Sequence, residues 1–245
     1  MDQEFANIQF KPIRNNEFAK WFQEVQYNGS VLSDVERKEF VSMFDETIKN
    51  YTEGLPLARQ ILDIFSEQRD DYHETYCTVV SVMLFVLMTM IDCMVACKFF
   101  ILADKDYDRR FMRGKLMVLL NEGFKKLYGF DDKTYKKSEW DKLLPLMKRF
   151  PEVINRQYQD LTYLLEKHSK SSSWWREERN LEIHLEAVKL YDSRQEEIIE
   201  SKVVIDTMKL FRSLMAVNDY LSNLHTCLYN FLVDKFHKGE LLITQ

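Results

Sequence analysis

Three side chains able to work together on a phosphate group fall within six residues: Arg179, Asn180 and His184, in the stretch SSSWWREERNLEIHLEAVKLYD at 171–192. An imidazole titrates near neutral pH and moves protons in either direction. A guanidinium carries a permanent charge and a planar fork that fits phosphate oxygens. A side-chain amide orients either group or the scissile phosphate. Together they suit cleavage of RNA without a metal: a base takes the 2′-hydroxyl proton and a cation stabilises the charged phosphorane.

The element that must position them reads as an amphipathic helix from Trp174 to about Ser193. At about 100° per residue, Leu181, His184 and Val188 lie on one side. Asn180 precedes His184 by one turn, so the two side chains are neighbours. Arg179 sits roughly 140° away around the helix and reaches the imidazole by curling back, or meets it across a partner surface.

Arg179-Asn180-Leu181-Glu182-Ile183-His184 resembles the Rx4-6H signature of the HEPN superfamily, in which a polar residue follows the arginine. The motif stands at the start of a late helix after a polar stretch, and RRFMRGKLMVLLNEGFKKLYGF (109–130) is similar to the middle helix of abortive-infection members. The resemblance implies an all-α, HEPN-like helical bundle, here with additional N-terminal helices. It implies a homodimer whose two motifs face one cleft, and metal-independent endoribonuclease activity in a bacterial defence or toxin-antitoxin setting, with an antitoxin or defence protein as a further partner. His184 would be the general acid/base, Arg179 the phosphorane-stabilising cation and Asn180 the phosphate-positioning group, with no cofactor and no metal. Leu185 and Glu186 follow His184, so the HxY extension of some members is missing. Two other readings compete with the enzyme: a non-catalytic helical module that binds RNA or protein, and a membrane-associated helical protein.

Other residues are candidates for RNA contact. Trp174 and Trp175 would stack bases, although a Trp at a helix start is more often a core anchor; Arg176 stands beside them. Arg109, Arg110, Arg113 and Lys115 form a local basic run that would hold phosphates, against the commoner role of a solvated helix face. Asp92 interrupts an apolar run, and a buried carboxylate needs a partner. Lys98 or an arginine of another helix would serve; were it Arg179, Asp92 would orient the catalytic cation. A structural pair is the first expectation. His73-x3-Cys77 and the nearby His225 and Cys227 lack the repeated ligand pairs of a zinc site.

Composition sets the limits. With 245 residues, 46% hydrophobic, the chain has material for one domain with a sizeable core. Only 6 Gly and 4 Pro occur, which favours helices throughout. A net charge of −5 excludes a protein that coats nucleic acid by bulk charge. The four cysteines, Cys77, Cys93, Cys97 and Cys227, read as free thiols. MDQEFANIQF has no basic stretch ahead of an apolar one, so no secretory leader is expected and the cytoplasm is the expected compartment.

Residues 78–103, TVVSVMLFVLMTMIDCMVACKFFILA, approach a membrane span in length. Asp92 argues against that, and a central helix buried on all sides is expected. The domain is expected to run 1–245, with an N-terminal helical elaboration over about 1–68 and a core bundle over about 70–237. SDVE at 33–36 forms a capping box for a helix to about Asn50. YTEGLP breaks it, and Pro56 opens the next helix. A helix over 109–128 stops at Gly129. Residues 133–168 are helical with breaks at Pro145 and Pro151, KHSKSSS is a polar loop, and a last helix runs over about 195–237.

Overall fold

The computed structural model describes residues 5, 8–11, 32–66, 70–171, 180 and 200–239. The described residues are all-α, with no strand, and form a helical bundle. The order is α1 (Asp34–Ser66), α2 (Asp71–Leu102), α3 (Asp106–Leu127), a short α4 (Asp132–Tyr135), a 3₁₀ helix (Asp141–Arg149), α5 (Glu152–Ser171) and α6 (Glu200–His237).

Helix α2 is the hub. Helices α1, α3 and α6 each run antiparallel to it. Lys98 on α2 pairs with Asp45 on α1, while Phe65, near the other end of α1, packs on His73. On α6, Ser222 reaches Met83 and His225 reaches Tyr76. Val79, Val80, Val82, Val86, Met90, Met94 and Cys97 are all buried. Burying one such side chain contributes about 1.5–3 kcal/mol, so α2 holds much of the core.

Both ends of α2 are satisfied by specific groups. At the N-terminus the Asp70 carboxylate accepts the Tyr72 and His73 amides at 2.9 and 3.0 Å, the geometry of an N-cap. At the C-terminus no basic residue lies in the last turn. Two arginines from other segments supply the missing donors: Arg37 of α1 donates to Ile101 O at 2.7 Å, and Arg109 of α3 donates to Ala103 O at 3.2 and 2.9 Å. Cations there also complement the helix dipole.

The expected break at YTEGLP does not occur, and α1 passes through Pro56. Thr52, Glu53, Gly54 and Pro56 all face solvent. The carbonyl that Pro56 leaves without an amide partner therefore meets water, which lowers the cost of an internal proline. Gly129 ends α3 as expected, at φ +90°, where a Cβ would lie 2.5 Å from Tyr135 N. Pro145 sits inside the 3₁₀ helix, and the Pro151 carbonyl accepts the first amide bonds of α5. KHSKSSS is not wholly a loop: α5 continues to Ser171, because His168 is buried against Phe124 and Ser169 bonds Gly129 O.

Helices α2 and α3 touch at Gly123, where an added Cβ would stand 2.6 Å from Thr89 Cγ2. Thr89 is held in place by its bond to Phe85 O. Replacing Gly123 by Ala is expected to destabilise the fold by about 1–3 kcal/mol through overpacking, despite the better helix propensity of Ala. Adding Thr89→Ser, which deletes the clashing methyl and keeps the hydroxyl, should recover most of that loss in urea denaturation.

Candidate functional site

Of the Arg179, Asn180, His184 constellation, Asn180 is described: it is helical and exposed. Arg179 and His184 lie outside the described residues, as do Trp174, Trp175 and Arg176. The helical state of Asn180 is what the amphipathic pattern leads one to expect.

The basic run on α3 has a structural duty. Arg109 is half-buried, and its Nε and Nη2 close the end of α2 on Ala103 O. Arg113 is also half-buried, while Lys115 is exposed and lies 5.0 Å over the Phe111 ring. Arg109 is thus committed to the α2–α3 turn.

Asp92 departs from the expectation of a buried, paired carboxylate. It is exposed, and Lys98 spends its charge on Asp45 of α1 instead. Partial burial still raises the Asp92 carboxyl above its ordinary value. Asp92 shares its side of α2 with exposed Met88, Phe99 and Leu102 and with half-buried Leu84, Ile91 and Val95 between them. Met88, Phe99 and Leu102 are 55%, 53% and 49% exposed, so α2 is buried on only part of its circumference. Its length and hydropathy are those of a candidate membrane span, but 56% of the apolar window is covered by the bundle.

A polar cluster that the sequence reading did not assemble sits where α1, α2 and α6 meet. His73 Nδ1 donates to Asp70 Oδ2, and its ring stacks near Phe65 at 5.2 Å. Tyr76, fully buried, places its hydroxyl 2.8 Å from His225 Nε2. Burial raises the Tyr76 phenol and lowers the His225 imidazole. Burial thus disfavours the charged form of each, and the hydroxyl and the ring nitrogen share one hydrogen bond. Burial pushes the Asp70 carboxyl up, but the His73 amide, imidazole and charge and the Tyr72 amide outweigh it and hold it low. The signal for the first pair was in DDYH, an N-cap Asp three residues before a His; the Tyr76–His225 pair spans 149 positions and left no local trace.

Among the described residues no group of three or more His, Cys, Asp or Glu side chains is placed to hold a metal. His73 turns one nitrogen to Asp70, and His225 turns one to Tyr76. All four cysteines are free, with Cys93 and Cys97 buried and their thiols pushed up by desolvation. Comparison of the chain with models of known protein families, with curated proteins and with solved structures finds no match.

His168 supplies a pH dependence. Burial first, and the Lys209 charge second, depress its imidazole from 6.5 to about 4. The folded state therefore holds the ring neutral, while the unfolded chain takes up a proton below about pH 6.5. The associated stability is complete above pH 6.5 and is lost as pH falls toward 4, by on the order of 3 kcal/mol. His225 acts in the same direction. Melting temperatures measured from pH 7 to 4 should fall along this slope, and a His168→Gln variant should show a clearly shallower one.

Proposed function

We propose that the chain is a metal-independent endoribonuclease of the HEPN type, acting as a homodimer through Arg179, Asn180 and His184. The observation that carries this reading is the spacing of those three residues, together with an Asn180 that is helical and open to solvent. The all-α bundle is compatible with it. In the proposed reaction His184 withdraws the 2′-hydroxyl proton, and the 2′-oxygen attacks the adjacent phosphorus. Arg179 stabilises the doubly charged phosphorane and Asn180 orients a phosphate oxygen. The 5′-oxygen departs with a proton returned by an imidazolium, leaving a 2′,3′-cyclic phosphate. The nucleophile comes from the substrate, so the mechanism calls for no metal-activated water. The setting proposed is cytoplasmic, in bacterial defence or a toxin-antitoxin pair.

A second reading rests on the open apolar face of α2, with Met88, Phe99 and Leu102 exposed: a helical protein that associates with a membrane. A third, a binding module without catalysis, shares the fold with the first.

The purified chain incubated with RNA in the presence of EDTA should yield fragments ending in 2′,3′-cyclic phosphate, read by mass spectrometry. His184→Ala and Arg179→Ala should each lower the rate by about 10²-fold or more, with unchanged thermal unfolding. RNA binding without cleavage would replace the enzyme by the binding module. Recovery only in the detergent-extracted membrane fraction would favour the second reading.

A further inference from the structure

The described N-terminal residues form an arm that is not part of any helix, yet three of its side chains, Phe5, Ile8 and Phe10, are buried while Gln9 and Lys11 between and after them are exposed. Phe5 is 0% exposed, and Ile8 and Phe10 are each 9% exposed. Phe5 enters an aromatic pocket: its ring lies 4.8 Å from Phe150, 5.0 Å from Phe231 and 5.8 Å from Tyr72, with the Arg149 guanidinium 5.2 Å above it. Phe10 packs edge-on against Tyr220 at 5.8 Å. The walls come from α2, the 3₁₀ helix with the Phe150 that follows it, and α6.

The polar contacts are made to the arm's main chain. Phe5 N–H donates to Arg149 O at 3.3 Å, Cys227 Sγ donates to Gln9 O at 3.0 Å, and Asn223 Nδ2 donates to Lys11 O at 3.4 Å. A grip of this kind, on backbone groups with side-chain anchors between them, is how grooves bind peptide segments. The wall residues also bond to one another. Arg149 Nη1 bonds Thr75 Oγ1 at 2.6 Å and Asp71 O at 3.2 Å, and the Tyr220 hydroxyl reaches Met147 Sδ and Ile154 O. Bonds of this kind, made within the framework rather than to the arm, limit the reorganisation that binding a ligand requires. The arm belongs to the same chain as the groove, with residues 12–31 between it and Leu32 in sequence, so it competes with any outside peptide at a high effective concentration.

We propose that this groove is a peptide-recognition site, occupied in cis by Phe5 and residues 8–11, that takes in trans a peptide segment with the Phe-x2-Ile-x-Phe pattern of Phe5, Ile8 and Phe10, turned at its first anchor as here, where the Ile8 amide donates to Phe5 O at 3.1 Å. The arm is then its built-in competitor, and a partner carrying that pattern gains access when the arm leaves. This inference is independent of the ribonuclease reading.

The test uses the full chain carrying Phe5→Ala and Phe10→Ala together, which frees the groove without shortening the protein. A fluorescein-labelled peptide of residues 1–11 is titrated in and followed by anisotropy. The folded double variant should bind it saturably, at least about tenfold more tightly than the wild type, whose own arm competes. The same peptide with both phenylalanines replaced by alanine should not bind. A folded variant that ignores the peptide, or a wild type that binds it equally well, overturns the proposal. Should the double variant not fold, wild-type chain with excess unlabelled peptide serves instead: amide exchange of residues 5–11 should accelerate as the arm is displaced, and exchange that is the same at every peptide concentration overturns it.

Discussion

The desolvation of α2 is the constraint on which the rest depends. A helix of 32 residues carrying so few charges is stable in water only if neighbours cover it. Helices α1, α3 and α6 do this from three directions, all antiparallel, and the details of their contacts follow from the same need. Capping groups must be imported, because α2 has no cation in its own last turn, and Arg37 and Arg109 fill that place. Close approach must be permitted, and Gly123 allows it beside Thr89. Polar groups carried into the core must find partners: Tyr76 finds His225, and Arg149 finds Thr75.

Much of the architecture was legible in the residues. Helical periodicity located α2, α3 and α6, the SDVE box is formed as Ser33 and Glu36 suggest, and Gly129 ends α3 in a conformation that favours glycine. The points where the structure departs from local expectation share a cause. Pro56 and KHSKSSS were read by local propensity, whereas the outcome depended on surroundings: solvent beside Pro56, and a buried seat for His168. Asp92 departs from expectation for the same reason. A charge within an apolar run implies burial only if every side of the helix is covered, and the Asp92 side of α2 is open.

The candidate site was legible to a different degree. On a helix the spacing would set Asn180 and His184 on neighbouring turns; of the three site residues Asn180 is the one among the described residues, and it is helical. What the sequence could not reveal is chemistry assembled from distant segments. The Tyr76–His225 pair, and the pocket that Phe150, Phe231 and Tyr72 make for Phe5, depend on contacts between elements far apart in the chain. The basic run at Arg109 shows the converse. Its composition fits a solvated helix face first and phosphate binding second, but Arg109 bonds the carbonyl at the end of α2.

Native-state hydrogen exchange of α2 in detergent-free buffer is the most direct test of this account. If α2 is the desolvated hub, its amides from Val79 to Met94 exchange only through global unfolding, and their opening free energies equal the stability from denaturant titration. Fast exchange across α2, with protection appearing only when detergent or lipid is added, would contradict it and make the bundle a secondary consequence of membrane association.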